Sequence, residues 1–201
     1  MSLIIRADVV DVGVEDPLPE DLLLVDTSSW YFLAYSKASQ MGSYKARIYP
    51  RYVNRALRAR AQVYRCGLSF SELAHVIEHN ERDIWIRKNG NIQEKEYRNR
   101  QNERSAVVKE VESAWSVIKS ISRQVDVTIN DPLTEDALQR YKTHPLDGYD
   151  LYILSLMFQT GILQILTDDS DFAAIPGIKV LTCNNTVIEA AREQQRLVQR
   201  H

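Results

Sequence analysis

The segment Ile162-Leu163-Gln164-Ile165-Leu166-Thr167-Asp168-Asp169-Ser170-Asp171-Phe172 runs an apolar stretch straight into acid. The same transition occurs earlier, where Leu22-Leu23-Leu24-Val25 ends in Asp26. Apolar runs of this kind are what a strand buried on both faces of a parallel sheet requires. Acids at the ends of such strands stand at the carboxyl rim of the sheet, where open α/β sheets bind their ligands. Two such ends in one sheet bring Asp26, Asp168, Asp169 and Asp171 toward one another. Like charges at short range repel, so a carboxylate cluster of this kind calls for a hard cation, Mg²⁺ or Mn²⁺.

A chain of 201 residues fits one domain over 1–201, with room for an insertion. Hydrophobic residues make up 44% of it, enough for a packed core. The longest apolar run falls far short of a membrane span, so no membrane association is expected. Met1-Ser2-Leu3-Ile4-Ile5-Arg6 lacks the long apolar region of a secretory signal. Cys66 and Cys183 are the only cysteines and have no metal-type spacing. Two thiols in a chain of this size point to a reducing compartment, the cytoplasm.

Charge is segregated along the chain. Between Asp26 and Glu72 there is no acidic residue, and that stretch carries +8 in a chain whose net charge is −2. Segregation on this scale suggests a polyanionic partner. Arg47, Arg51, Arg55 and Arg58 follow helical spacing and form one stripe. Tyr44, Tyr49, Tyr52 and Tyr64 are interleaved with the basic residues. Arginines bind phosphate with two donors and tyrosines offer bases a stacking surface. The stripe, with Tyr52, is therefore expected to bind nucleic acid, preferably single-stranded RNA.

Coarse periodicity supplies the frame. Residues 1–20 form an accessory N-terminal arm or strand, with weak alternation over 3–12. Strand 22–25 leads into a helix through Trp30 to Ala38, capped by Thr27, Ser28 or Ser29. Helices are expected over 51–65 and from Ser69 or Ser71 to His79. Residues 81–125 read as a helical insertion dominated by one long helix, 94–123. Its apolar positions Val107, Val111, Ala114, Ile118, Ile121 and Val125 make a coiled-coil-like seam. That seam either packs on its own domain or joins a homodimer or another partner. A strand at 126–129, helices from Thr134 and from Tyr149, strands at 162–167 and 179–182, and a C-terminal helix from Thr186 follow. Strands separated by helices argue for a parallel sheet with right-handed crossovers.

Further acids fit the same rim. Glu72 opens a helix in Ser71-Glu72-Leu73, and Asp150 opens an apolar helix three residues after Asp147, a capping-box spacing. The order of Val25-Asp26-Thr27-Ser28, Ser71-Glu72-Leu73, Asp150 and Leu166-Thr167-Asp168-Asp169-Ser170-Asp171-Phe172 resembles that of PIN domains. These are metal-dependent nucleases that include the toxins of many bacterial toxin–antitoxin pairs. The resemblance implies a three-layer α/β/α fold with a central parallel sheet, plus the inserted long helix. It implies Asp26, Glu72, Asp150 and Asp169 as catalytic, metal-holding acids for Mg²⁺ or Mn²⁺. Asp171 and Asp147 are implied as auxiliary acids and Ser28 as a supporting hydroxyl, while Asp168 is expected to face solvent. The implied activity is an endoribonuclease hydrolysing single-stranded RNA, with an antitoxin protein as partner if the chain is of the toxin type.

Two rivals belong to other classes. One is a nucleic-acid-binding or regulatory module of the same fold with little catalysis. The other is a zinc protease, since His75-Val76-Ile77-Glu78-His79 matches the inverted zincin pattern and puts two histidines one helical turn apart. That motif leaves the acid-tipped strands unexplained.

Overall fold

The computed structural model describes residues 3–200, Met41 by its backbone only, so residues 1, 2 and 201 of the expected arm and domain lie outside the described residues. Six strands form one all-parallel sheet: β1 (Asp8–Asp11), β2 (Leu22–Val25), β3 (Gln62–Cys66), β4 (Arg123–Val125), β5 (Gln164–Leu166) and β6 (Lys179–Thr182). Their spatial order is β1-β6-β5-β2-β3-β4. Helices α1 (Thr27–Ala34) and α2 (Lys45–Arg58) connect β2 to β3. Helices α3 (Leu68–Asn89), α4 (Glu94–Arg98) and α5 (Gln101–Ile121) connect β3 to β4. Then α6 (Asp131–Thr143) and α7 (Asp150–Thr160) return to β5, and α8 (Asn185–Glu193) follows β6.

Alternation along the strands sorts the core into two layers, as a pleated sheet must. Leu23, Val25, Val63, Leu166 and Leu181 pack with α1, α2, α3 and α5 on one face. Leu24, Cys66, Ile165 and Val180 pack with α6, α7 and α8 on the other. The fold is thus the three-layer α/β/α arrangement expected from the sequence. The chain builds outward from β2 through β3 to β4, then crosses to β5 on the other side of β2. The gap between the carboxyl ends of β2 and β5 is therefore the topological switch point, the place where such sheets bind ligands.

Several local expectations change in three dimensions. Strand β1 is a full edge member, with Val9 and Val10 in register with Val180 and Leu181. The helix expected to stop at His79 continues to Asn89, because Ile77, Glu81, Trp85 and Ile86 keep it packed on the core. The long helix expected over 94–123 is two helices, broken at Asn99 and Arg100, where Arg100 is extended. Tyr97 is buried there, its ring 6.2 Å from that of Trp85, which turns the chain back along α3. The strand expected at 126–129 lies earlier, at Arg123–Val125, because pairing with Tyr64–Cys66 sets its register. Residues 126–130 instead lead into α6, whose first turn is capped when Leu133 N donates to Asn130 Oδ1. Gly161 ends α7 at φ +73°, a left-handed position that favours glycine.

The seam of α5 is used within the chain. Val107, Val111, Ala114 and Ile118 are buried in the same core as Trp30, Leu73 and Ile77. Polar ties reinforce it: Tyr35 and Lys37 donate to the buried Glu81, and Ser36 donates to Glu110. Among the described residues, no helix is long and apolar enough to cross a membrane.

The C-terminal tail locks the far side of the sheet. Leu197 bridges Val9, and Arg200 pairs with Asp21 at 2.5 Å, both side chains almost fully buried. Removing one partner of a buried ion pair strands the other charge at a cost of about 3–5 kcal/mol. Arg200→Met is expected to lower the urea midpoint accordingly, and adding Asp21→Asn is expected to recover most of the loss.

Candidate active site

Asp26 is buried at the N-cap of α1, and its backbone N–H donates to Leu166 O. Its Oδ2 accepts from Ser28 Oγ at 2.7 Å, from Thr167 Oγ1 at 2.8 Å and from Ser28 N at 3.3 Å. Thr167 lies 141 residues further along the chain, so this triad ties the ends of β2 and β5 together. Glu72 sits in the second turn of α3, and Thr27 Oγ1 donates to its Oε2 at 2.7 Å. Asp169 N donates to Thr167 Oγ1, and Asp171 N donates to Asp169 Oδ1 at 2.8 Å. Asp150 opens α7 and lies within electrostatic reach of Asp26, Asp169, Glu72 and Asp147.

The structure thus brings Asp26, Glu72, Asp150 and Asp169 to the switch point, with Ser28 against Asp26 and with Asp147 and Asp171 at the margin. Asp147 does not form the capping box suggested by its spacing: its backbone carbonyl, not its side chain, accepts from Asp150 N. Among the described residues, none of these acids is in an ion pair with a lysine, arginine or histidine. Their charge is felt instead as shifted acidity. Burial pushes the Asp26 carboxyl up, against the bonds from Ser28 and Thr167 that pull it down. Burial also raises Glu72; the Thr27 bond opposes the shift, and the charges of Asp26, Asp169 and Asp147 add to it. Asp171 is raised by burial and by Asp169. Asp150 is pushed up to about 8, first by burial and then by the charges of Asp26, Asp169, Glu72 and Asp147.

An all-carboxylate donor set is that of a hard divalent cation. The bonding pattern fits one. Oδ2 of Asp26, Oε2 of Glu72 and Oδ1 of Asp169 are held by protein donors, while none of the bonds described reaches the other oxygen of Glu72 or Asp169. No three His, Cys, Asp or Glu side chains among the described residues are gathered tightly enough to ligate one ion as they stand. Closing the set further means bringing like charges together, which a bound cation would offset.

Asp168 differs from expectation. It does not face solvent: Lys45 Nζ pairs with its Oδ2 at 2.6 Å, and the Tyr49 hydroxyl lies 3.0 Å from its Oδ1. Its backbone N–H donates to Ser28 Oγ and its carbonyl accepts from Asn184. Asp168 therefore anchors the loop that presents Asp169. Thr167, Thr27, Lys45 and Tyr49 were not assigned to the acid site by sequence reasoning, which read Thr27 as a helix-cap candidate and Tyr49 as one of the interleaved tyrosines. Thr167 had a local signal, a hydroxyl between an apolar strand and the acids. The other three act through partners 45 or more residues away.

The basic stripe is only partly available. Arg47, Arg51 and Arg58 are exposed on α2. Arg55 instead binds Asp16 and the carbonyls of Val12 and Glu15. Tyr52 and Tyr49 are fully buried, so neither can stack on a base, contrary to the role expected of Tyr52. Helix α2 begins beside Asp168 and runs away from the rim, so Arg58 lies roughly 20 Å along the axis from Lys45. Only the Arg47 end lies near the acids. The protease reading fails on its glutamate, because Glu78 is held by Arg98 and Arg104 while His79 lies beside Asp83.

The PIN domain family model matches residues 23–178. The chain belongs to the PIN domain family, whose domains are in general metal-dependent nucleases and typically use Mg²⁺ or Mn²⁺. No curated protein matches the chain.

The raised acidity of Asp150 sets a direction for stability. Between its ordinary value of 3.8 and about 8, the folded protein holds a proton that the unfolded chain releases. Stability of the metal-free protein is therefore lost as pH rises through that window. Thermal unfolding in EDTA is expected to show a melting temperature that falls from pH 5 to pH 8.5. Asp150→Asn is expected to flatten that fall and raise the melting temperature at pH 8.5, by about 2–4 °C for each kcal/mol recovered.

Proposed function

We propose that this protein is a Mg²⁺- or Mn²⁺-dependent endoribonuclease that hydrolyses phosphodiester bonds of single-stranded RNA. The observation that carries the reading is the pattern at the switch point: acids with no ion-pair partner among the described residues, three of them with one carboxylate oxygen held by a protein donor. A cation held by Asp26, Glu72, Asp150 and Asp169 would stabilise developing charge on the phosphate and lower the pKa of a water nucleophile.

The chain's own groups supply position. Ser28 and Thr167 hold Asp26 in one orientation, and Thr27 does the same for Glu72. The Lys45–Asp168 pair and Tyr49 fix the loop carrying Asp169. Asp147 and Asp171 deepen the negative field that attracts the cation. Arg47 and Arg51, exposed on the rim half of α2, meet the RNA backbone. Both cysteines are buried free thiols, which fits a reducing compartment such as the cytoplasm. The toxin-type role, with an antitoxin protein as partner, is the biological setting we propose for this activity.

A second reading, RNA binding with little catalysis, draws on the spread of the acids as they stand. One experiment separates the two. With a labelled single-stranded RNA, cleavage is expected with Mn²⁺ or Mg²⁺, and none in EDTA. Asp26→Asn and Asp169→Asn are each expected to abolish cleavage while RNA binding persists, and Thr167→Val to reduce it about 10- to 100-fold. Binding with no cleavage by the unmodified protein at any Mg²⁺ or Mn²⁺ concentration would favour the second reading. The double variant Arg47→Glu, Arg51→Glu is expected to flatten the slope of log affinity against log salt by about 2. An unchanged slope would remove α2 from the RNA surface.

A further inference from the structure

On the far flank of α3 from the acids, α3 and α5 enclose a groove of about 800 Å³. At one end stand Phe70 and Trp115, their rings edge to face at 5.2 Å. Phe70 is 42% exposed, so its ring is open to a ligand at the mouth of the groove. At the other end Arg98 and Arg104 share Glu78, whose side chain is largely covered. Lys119, His75, Ser116 and Glu112 complete the polar lining. We propose that this groove is the second half of the substrate track: a base of single-stranded RNA stacks on the exposed ring of Phe70 beside Trp115, and the strand's phosphates lie along Lys119, Arg104 and Arg98.

Three observations carry the assignment. The first is continuity. Glu72 and Phe70 are two residues apart on α3, about 200° around a helix of 3.6 residues per turn. The mouth of the groove thus lies one helix width from the carboxylates, on the opposite side from Arg47 and α2. An RNA strand crossing the N-terminus of α3 passes from one to the other, with the acids between two binding arms. The second is charge. Arg98, Arg104 and Lys119 stand against Glu78 and Glu112, which leaves the lining one net positive charge, and none of the bonds described reaches the remaining N–H groups of the two arginines. Each guanidinium carries five donors, so both can hold Glu78 and a phosphate together. The carboxylate sets the two forks in place before the ligand arrives. The third is the wall chemistry. Aromatic rings next to cations suit unstacked bases, and a paired duplex cannot offer a base face to them. Helix α5, from the segment that reads as an insertion, supplies Trp115 and one wall, so the groove gives that insertion a purpose.

This proposal rests on the nuclease reading for the identity of its ligand, and the test keeps the two apart. The probe is a fluorescein-labelled ten-residue oligouridylate in EDTA, so that binding is measured without cleavage. The oligonucleotide is expected to quench tryptophan emission. Trp115→Phe should abolish most of that quenching while keeping affinity, since Trp30 and Trp85 lie outside the groove. Phe70→Ala and Lys119→Glu change exposed side chains, and each is expected to weaken binding roughly tenfold or more. A duplex of equal length should neither quench nor feel Phe70→Ala. Unchanged affinity in both Phe70→Ala and Lys119→Glu, with circular dichroism confirming that each is folded, overturns the track even if Asp26→Asn still abolishes cleavage. Conversely, quenching and weakened binding in a protein that cleaves nothing would uphold the groove and sink the nuclease. A concentration-dependent dimer dissolved by Phe70→Ala, without loss of RNA affinity, would assign the groove to a second copy and overturn the proposal.

Discussion

Burying the Asp26 carboxylate between the ends of two strands is the constraint on which the rest of the site depends. Its Oδ2 is held by Ser28 from its own turn and by Thr167 from the neighbouring strand, so the donors that make burial tolerable also define the register between β2 and β5. A buried acid without donors would neutralise or force the strands apart. With them it stays where Glu72, Asp150 and Asp169 can join it. The same hydroxyls pass the constraint outward: Ser28 Oγ accepts from Asp168 N, and Thr167 Oγ1 accepts from Asp169 N. The loop after β5 is therefore folded around the Asp26 anchor rather than merely placed beside it.

Such an arrangement stores electrostatic repulsion. Lys45 offsets Asp168, but among the described residues none of the four central acids is in an ion pair, although arginines are abundant nearby in sequence. The protein spends those arginines elsewhere: Arg55 on the turn at Asp16, Arg65 on the carbonyl of Ser122, Arg98 and Arg104 on Glu78. Protonation of Asp150 or arrival of a divalent cation are the two ways to relieve what remains.

Much of this was legible in the primary structure, and unevenly so. The parallel sheet followed from the apolar runs of β2 and β5 separated by helical segments, because burial on both faces leaves a local signature, and the resemblance to PIN domains supplied the three layers; β3 was missed, since residues 62–65 fell within a helix expected over 51–65. Asp26, Glu72, Asp150 and Asp169 could be proposed as site acids because acids at strand and helix ends share one rim and because their order resembles that of PIN domains. Helix α3 past His79, the break at Asn99 and the early position of β4 were missed, because packing on α1 and pairing with β3 outweighed local propensity. Asp168 was read as solvent-facing because nothing near it in sequence announces Lys45, 123 residues away.

Sequence alone determined which chemistry is present: carboxylates at strand and helix ends, arginines in a run free of acids, and a seam of apolar residues on α5. Tertiary structure decided which of these are available. It took Tyr52 and Arg55 out of the nucleic-acid surface, turned the α5 seam inward and set Phe70 beside Trp115. The reason is physical. Spacing along one element reports which face a side chain shares with its neighbours, but whether that face meets water, core or an opposite charge depends on partners brought together only when the sheet closes.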